Sequence, residues 1–227
     1  MKKLFIMTCC VAALTAYAQD EEQVYDANKS QISSELFARG NDALEFQKYD
    51  EAKNYFAAAI SYFSENPDYY YGLGMAQYYM KEYDSALFNL EKALAFDDQQ
   101  ANYHYYAGAT WYEKGEYDKA IGSYWSAIGL NRTSDIRVDI KTCWFQIGLS
   151  EMKLKKYTAA VESFTQALAK DPDNDKAALN RGICYAMSQD FESACADFYQ
   201  SALQGNERAK QFLDKYCPDY GKVVLKD

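Results

Sequence analysis

Five glycines set the frame of this chain: Gly40, Gly74, Gly108, Gly148 and Gly182 follow one another at intervals of 34, 34, 40 and 34 residues. Twelve residues after each comes an alanine (Ala52, Ala86, Ala120, Ala160, Ala194), and three before each alanine an aromatic (Tyr49, Tyr83, Tyr117, Tyr157, Phe191). Four after each alanine stands a large residue (Phe56, Leu90, Tyr124, Phe164, Phe198), and three further on a small one (Ala59, Ala93, Ala127, Ala167, Ser201). A pattern that returns in register at this period marks stacked supersecondary units. Offsets of three, four and seven lie on one face of an α-helix, and Tyr70, Leu73 and Gly74 show the same periodicity around the glycine. Each unit is therefore predicted to be two helices and a turn. The glycine of the first helix is expected to face the alanine of the second, so that the axes approach closely while the large neighbours fill the flanks.

These positions and their period resemble the tetratricopeptide repeat (TPR) family, over nearly all of the chain after its first residues. The resemblance implies an all-α, TPR-like right-handed solenoid of five helix-turn-helix repeats at residues 33–66, 67–100, 101–134, 141–174 and 175–208. The early aromatic of the first helix is Leu36, Tyr70, His104, Trp144 and Ala178 in turn, and Pro172 alone supplies the usual terminal proline, so the last repeat is the most degenerate. Residues 135–140 are an insert, read as a lengthened loop or extra helical turn, with a recognition loop as the alternative. A stack needs its last apolar face covered. Residues 207–217, with Ala209, Phe212, Leu213 and Tyr216 at helical spacing after a stop at Gly205-Asn206, are the expected capping helix. A tail, 218–227, follows. Ahead of the repeats, 19–32 is polar, and Gln19 to Gln31 is expected to be loosely ordered.

The first eighteen residues read as a secretory signal peptide: Lys2 and Lys3, an apolar run from Leu4 to Leu14, then Ala16-Tyr17-Ala18 as a cleavage site. The chain is thus expected to be exported, to the periplasm or cell envelope, with no membrane span after cleavage. Lipidation at Cys9 or Cys10 fits poorly, because neither has both a small residue before it and a leucine three before. Cleavage leaves Cys143, Cys184, Cys195 and Cys217, an even number in an oxidising compartment. Cys195 and Cys217 are symmetric about residue 206 and are the preferred disulfide in an antiparallel hairpin. Cys184 with Cys195, symmetric about Gln189-Asp190, and unpaired thiols remain open.

Composition narrows the chemistry. The 24 Lys+Arg against 33 Asp+Glu, a net charge of −9, leave no basic footprint for nucleic acid. A single histidine, His104, rules out multi-histidine metal sites, and four scattered cysteines without a CxxC pair argue against zinc. No phosphate-binding glycine loop or GxSxG elbow occurs. Cys143 with His104 is the only nucleophile and base to consider, and nothing places them together. The reading is a chain that is not an enzyme and has no metal or other cofactor.

Function then falls to the surface. The TPR resemblance implies a concave groove lined by first helices, with Phe37, Asn41, Tyr71, Met75, Tyr78, Tyr105, Tyr112, Phe145 and Met152 as its peptide-binding residues. Leu44, Ala109, Leu149, Leu179, Ile183 and Ala186 complete the stripe. Family members that clamp a chaperone's C-terminal carboxylate use Lys, Asn and Arg there, and Asn41 lacks the basic partners. The expected function is a non-enzymatic envelope scaffold binding a protein or peptide partner, soluble through its acidic outer helices. The alternatives are a subunit of an envelope or outer-membrane assembly complex, and a glycan-binding accessory protein whose Tyr and Trp stack on sugars.

Overall fold

The computed structural model describes residues 26–134, 136–218 and 220. The expected leader with Cys9 and Cys10, residues 19–25 and the tail residues 219 and 221–227 lie outside them. The described residues form eleven helices and no strand. They are α1 (26–45), α2 (Tyr49–Tyr62), α3 (Pro67–Tyr79), α4 (Tyr83–Phe96), α5 (Ala101–Glu113), α6 (Tyr117–Leu130), α7 (Ile140–Lys153), α8 (Tyr157–Lys170), α9 (Asp175–Met187), α10 (Phe191–Leu203) and α11 (Glu207–Tyr216).

The chain divides into two compact units after Phe96. In the first, α1 to α4 make two hairpins, joined where α2 packs on α3. In the second, α5 with α6, α7 with α8 and α9 with α10 are hairpins, and α11 lies on α10. There α5 also touches α7, and α7 touches α9, so successive first helices stand side by side.

The recurring alanines Ala52, Ala86, Ala120, Ala160 and Ala194 are buried, and so are Phe56, Leu90, Tyr124, Phe164 and Phe198. The recurring glycines, however, face chiefly those large side chains; at Gly74 the expected alanine also comes close, the Ala86 carbonyl lying 3.2 Å from an added Cβ. A Cβ on Gly148 would lie 2.8 Å from the Phe164 ring, one on Gly182 2.8 Å from Phe198, and one on Gly74 2.8 Å from Leu90. Phe56 is gripped twice, by Gly40 and Gly72, each with an added Cβ 2.6 Å from the ring. The alanine lets the helices approach, and the glycine makes the hole into which the large side chain fits.

Each hairpin turn carries one left-handed residue in the same register: Gln47, Lys81, Gly115, Lys155 and Gln189, with φ of 59°, 63°, 81°, 59° and 67°. The next amide reaches back over the helix end, as in Lys48 N–H to the Ala43 carbonyl (2.8 Å) and Lys156 N–H to Glu151 (2.8 Å). These bonds satisfy carbonyls that the helix leaves open.

Helix starts are capped by side chains: the carboxamide oxygens of Asn66, Asn174 and Asn206 accept from Asp68, Ala177 and Ala209 N–H. Gln100, ahead of α5, makes no such bond. Its place is taken by Ser134 of the long α6–α7 connection, whose buried hydroxyl accepts from Ala101 N–H (3.0 Å) and lies 2.8 Å from the Ile136 carbonyl. Residues 136–139 of the insert are thus a loop; the connection is bound to α5 by Ser134 and closed on itself by Val138 N–H to Asn131 Oδ1 (2.6 Å), with Asp139 capping α7.

Two further expectations are corrected. Residues 26–31, expected to be loosely ordered, are helical and continue into the first repeat. Gln31 bonds Glu35 one turn on, and nothing in 26–31 breaks a helix. On α11, Ala209 is buried and Phe212 and Leu213 pack on the last hairpin, but Tyr216 is 60% exposed.

Cys195 and Cys217 form a disulfide across α10 and the end of α11, with Cα atoms 5.8 Å apart and a sequence separation of 22. Cys143 and Cys184 are buried free thiols, both pushed up to about 12 by burial and therefore unreactive.

Two measurements check this account. Gly148→Ala forces a Cβ onto a fully buried ring, an overpacking cost of about 1–3 kcal/mol against roughly 1 kcal/mol gained in helix propensity. Gly122→Ala, exposed on α6 with nothing near its added Cβ, carries only the gain. Urea denaturation should show the first destabilised by up to about 2 kcal/mol and the second stabilised by up to about 1 kcal/mol; equal effects would refute the glycine–ring packing. Replacing Cys195 and Cys217 by alanine removes about 3 kcal/mol of chain restraint, so amide exchange in α11 should accelerate on the order of 100-fold while α5 stays protected.

Candidate functional site

In the first unit the predicted groove residues separate by register. Phe37 does not stand clear of the core: its ring lies 5.8 Å from Phe56 and 5.1 Å from Tyr69, centroid to centroid, where α1, α2 and α3 meet. Asn41, one turn along, is exposed. Tyr71 and Met75 are half-buried on α3, and Tyr78 is edge-on to Tyr79 (5.4 Å) and 6.1 Å from Tyr83 of α4. This face is aromatic, and its rings are steadied by neighbours while keeping part of their area exposed.

The second unit repeats the division. Tyr105 packs at 5.7 Å on Tyr124, and Phe145 at 5.7 Å on Phe164, both edge-on. In these two repeats the first residue of the predicted triple therefore braces the large residue of its own second helix. Met152 and Leu149 lie half-buried against the α8 cluster around Phe164. Tyr112 sits edge-on to Tyr117 at 5.4 Å, and burial, with Tyr117 and Glu113 adding to it, raises its phenol above the ordinary value and keeps it neutral.

A cavity of about 250 Å³ opens between α9, α10 and α11. Ile183 and Ala186, the last members of the predicted stripe, form part of its wall with Met187, Phe191, Phe212 and Tyr216, and both cysteines of the disulfide line it. Met187, Phe191 and Tyr216 are 56%, 63% and 60% exposed. A cavity of this size and lining accepts apolar side chains. The sequence reading assigned Phe191 to the hairpin and Phe212 and Tyr216 to the cap, and left Met187 unassigned. Their shared signal is large apolar character at helix ends, where a solvated surface does not require it.

Polar pairs cross three of the hairpins. Asn89 donates to Gln77 (2.8 Å), Ser163 to Glu151 (2.7 Å), and Arg181 donates two bonds to Asp197 (2.8 and 2.7 Å). They satisfy groups that helix packing would otherwise strand. His104 Nε2 lies 3.0 Å from the Asp98 carbonyl, and the inert, buried Cys143 is no nucleophile. Among the described residues no three metal-ligating side chains come together, and no helix is long and apolar enough to cross a membrane.

The tetratricopeptide repeat model matches residues 37–100 and 145–211, more than half of the chain, and the chain belongs to that family. Residues 80–167 also match the model of subunit 3 of the anaphase-promoting complex, cyclosome. Human peptidyl-prolyl cis-trans isomerase FKBP4 is 39% identical over 70 residues, which are 30% of this chain and 15% of that protein. The chain thus spans a small part of the curated relatives it matches. Among solved structures, MamA aligns with a TM-score of 0.68 at 17% identity, covering 82% of this chain and 96% of that one. YrrB, described as a TPR protein with an unusual peptide-binding site, aligns with a TM-score of 0.68 at 20% identity, covering 79% and 90%. The fold is an all-α, TPR-like solenoid of helix pairs, the class that serves as protein-interaction scaffolds.

Burial raises the Glu151 carboxyl above its ordinary value of 4.5, against the opposing Ser163 bond and the Lys156 charge, with Glu162 adding to the rise. A carboxyl raised in the folded state binds more protons there than in the unfolded chain. Its contribution to stability is therefore favourable at low pH and is lost as pH climbs from 4.5 through the raised value. Glu151→Gln, which still accepts from Ser163, should flatten that part of the profile. Urea midpoints at pH 5 and pH 7 should differ less in the variant than in the parent, and an unchanged difference would place the charge in solvent.

Proposed function

We propose that this chain is an exported, non-enzymatic TPR scaffold of the cell envelope that holds an extended or helical segment of a partner protein along its first-helix faces. The apolar cavity between α9 and α11 carries the reading, because its exposed rim of Met187, Phe191 and Tyr216 lies where the stripe of first-helix residues ends. The half-buried Tyr71, Met75 and Tyr78 of the first unit offer large area with little rotamer entropy to lose, as recognition surfaces do. Recognition of this kind rests on a few apolar anchors in preformed pockets. The relatives support a peptide or protein ligand, YrrB by the peptide-binding site in its description. The sequence of residues 1–18 supports export, and the acidic balance supports solubility.

The test is a photo-crosslinker at Met187 of the expressed chain, compared between the parent and Ala186→Trp, which fills the cavity. Circular dichroism would first establish that the variant is folded. A protein adduct formed by the parent and lost in the variant places the anchor in the cavity. Adducts of equal yield from both would move binding to the Tyr71–Tyr78 face or to the 131–140 loop, and the present assignment would fall. An N-terminus beginning at Gln19 on the exported chain would establish the leader.

A further inference from the structure

We infer that the α9–α11 cavity has a resident occupant, the chain's own Val223-Val224-Leu225. Residues 221–227, beyond the described part of the chain, read Gly-Lys-Val-Val-Leu-Lys-Asp. The inference rests on reading the cavity as a binding site for an apolar segment, and it names the first such segment to reach it.

Four observations point there. Cys217, which lines the cavity, precedes Tyr220 by three residues, and the Tyr220 amide bonds the Cys217 carbonyl (3.1 Å). Tyr220 packs on the same cluster as α11, its ring 6.1 Å from Tyr199 of α10, so the tail starts beside the cavity, three residues past its lining residue Cys217. Five residues span up to about 17 Å, enough to carry Leu225 across an opening walled by three packed helices. The cavity of about 250 Å³ exceeds the roughly 150 Å³ that receives a benzene ring, and so admits about two aliphatic side chains. Finally, the apolar trio is flanked by Lys222 and Lys226, while Asp190 and Glu192 flank Phe191 on the α10 lip. Hydrogen bonds from Ser193 hold Asp190 below the usual carboxylate range, so this lip keeps its negative charge. The tail lysines therefore meet the acidic lip when the trio enters.

A short tether gives the tail an effective concentration on the order of millimolar. Partner segments then compete with a built-in ligand, and their apparent affinity is the intrinsic affinity multiplied by the fraction of cavities the tail leaves open. The partner must offer apolar anchors that outcompete a valine–valine–leucine run.

The experiment compares the full chain with one ending at Tyr220, using 1-anilinonaphthalene-8-sulfonate as the apolar probe and the synthetic heptapeptide Gly-Lys-Val-Val-Leu-Lys-Asp as competitor. The shortened chain should show about threefold or greater probe emission, the peptide should reverse it, and Leu225→Asp in the full chain should reproduce it. Labelled peptide should bind the shortened chain about tenfold more tightly than the full one, and Ala186→Trp should abolish both signals. Equal emission from the two chains without competition by peptide overturns the tail as occupant and leaves the cavity as a binding site. Emission from neither chain overturns both.

Discussion

Every hairpin in this protein depends on a missing side chain. Where the first helix carries glycine, a phenylalanine, tyrosine or leucine of the second enters the space a Cβ would fill. The contact is made five times in register, and Phe56 makes it twice, between Gly40 and Gly72. Helix propensity opposes it, since glycine inside a helix costs up to about 1 kcal/mol relative to alanine. Burying the ring contributes more, about 1.5–3 kcal/mol for a large apolar side chain, and the nearby alanine keeps the helices close enough for the ring to fill its hole. The rest follows from that clamp. The helices of each pair are held together by it, and in the first, third and fourth repeats the first residue of the surface triple braces the ring from outside.

The helices and their pairing were legible because burial acts on periodicity, and periodicity survives in a single sequence. What was not legible depended on contacts between distant residues or on backbone conformation. The glycine's true partner lies sixteen residues away, and spacing alone could not choose it over the alanine at twelve. The left-handed turn positions were hidden because Gln47, Lys81, Lys155 and Gln189 occupy a conformation usually marked by glycine, and only Gly115 shows the signal. Ser134 capping α5 was hidden for the opposite reason: the sequence around Gln100 shows a weak cap, but not which residue from 34 positions away replaces it. The early start of α1 reflects the marginal status of polar helices, which tertiary contact and side-chain pairs such as Gln31–Glu35 decide.

The candidate site was legible only in outline. The stripe reached Ile183 and Ala186, which do line the cavity, but its first member in the first, third and fourth repeats is part of the packing. A groove residue in such a repeat serves two masters: the half of the ring that faces inward stabilises the hairpin, and the half that faces outward is available for contact. Substituting Tyr105 or Phe145 thus disturbs stability and surface together, whereas the exposed Met187 separates them. The remaining walls come from Phe191, Phe212 and Tyr216, whose apolar character fits either a cap or a rim.

The bond between Cys195 and Cys217 also changes what the chain can do under load. A repeat protein pulled from its ends peels from the terminal unit inward, each helix released lending its contour to the extension. Here the chain between the cysteines, a sequence separation of 22 residues, is withheld. At about 3.6 Å per residue it represents roughly 80 Å of length that no tension on the polypeptide can draw out while the bond is intact. Force applied beyond residue 217 passes through sulfur directly to the middle of α10, bypassing α11 and leaving the cavity's disulfide wall in place until the last hairpin itself gives way.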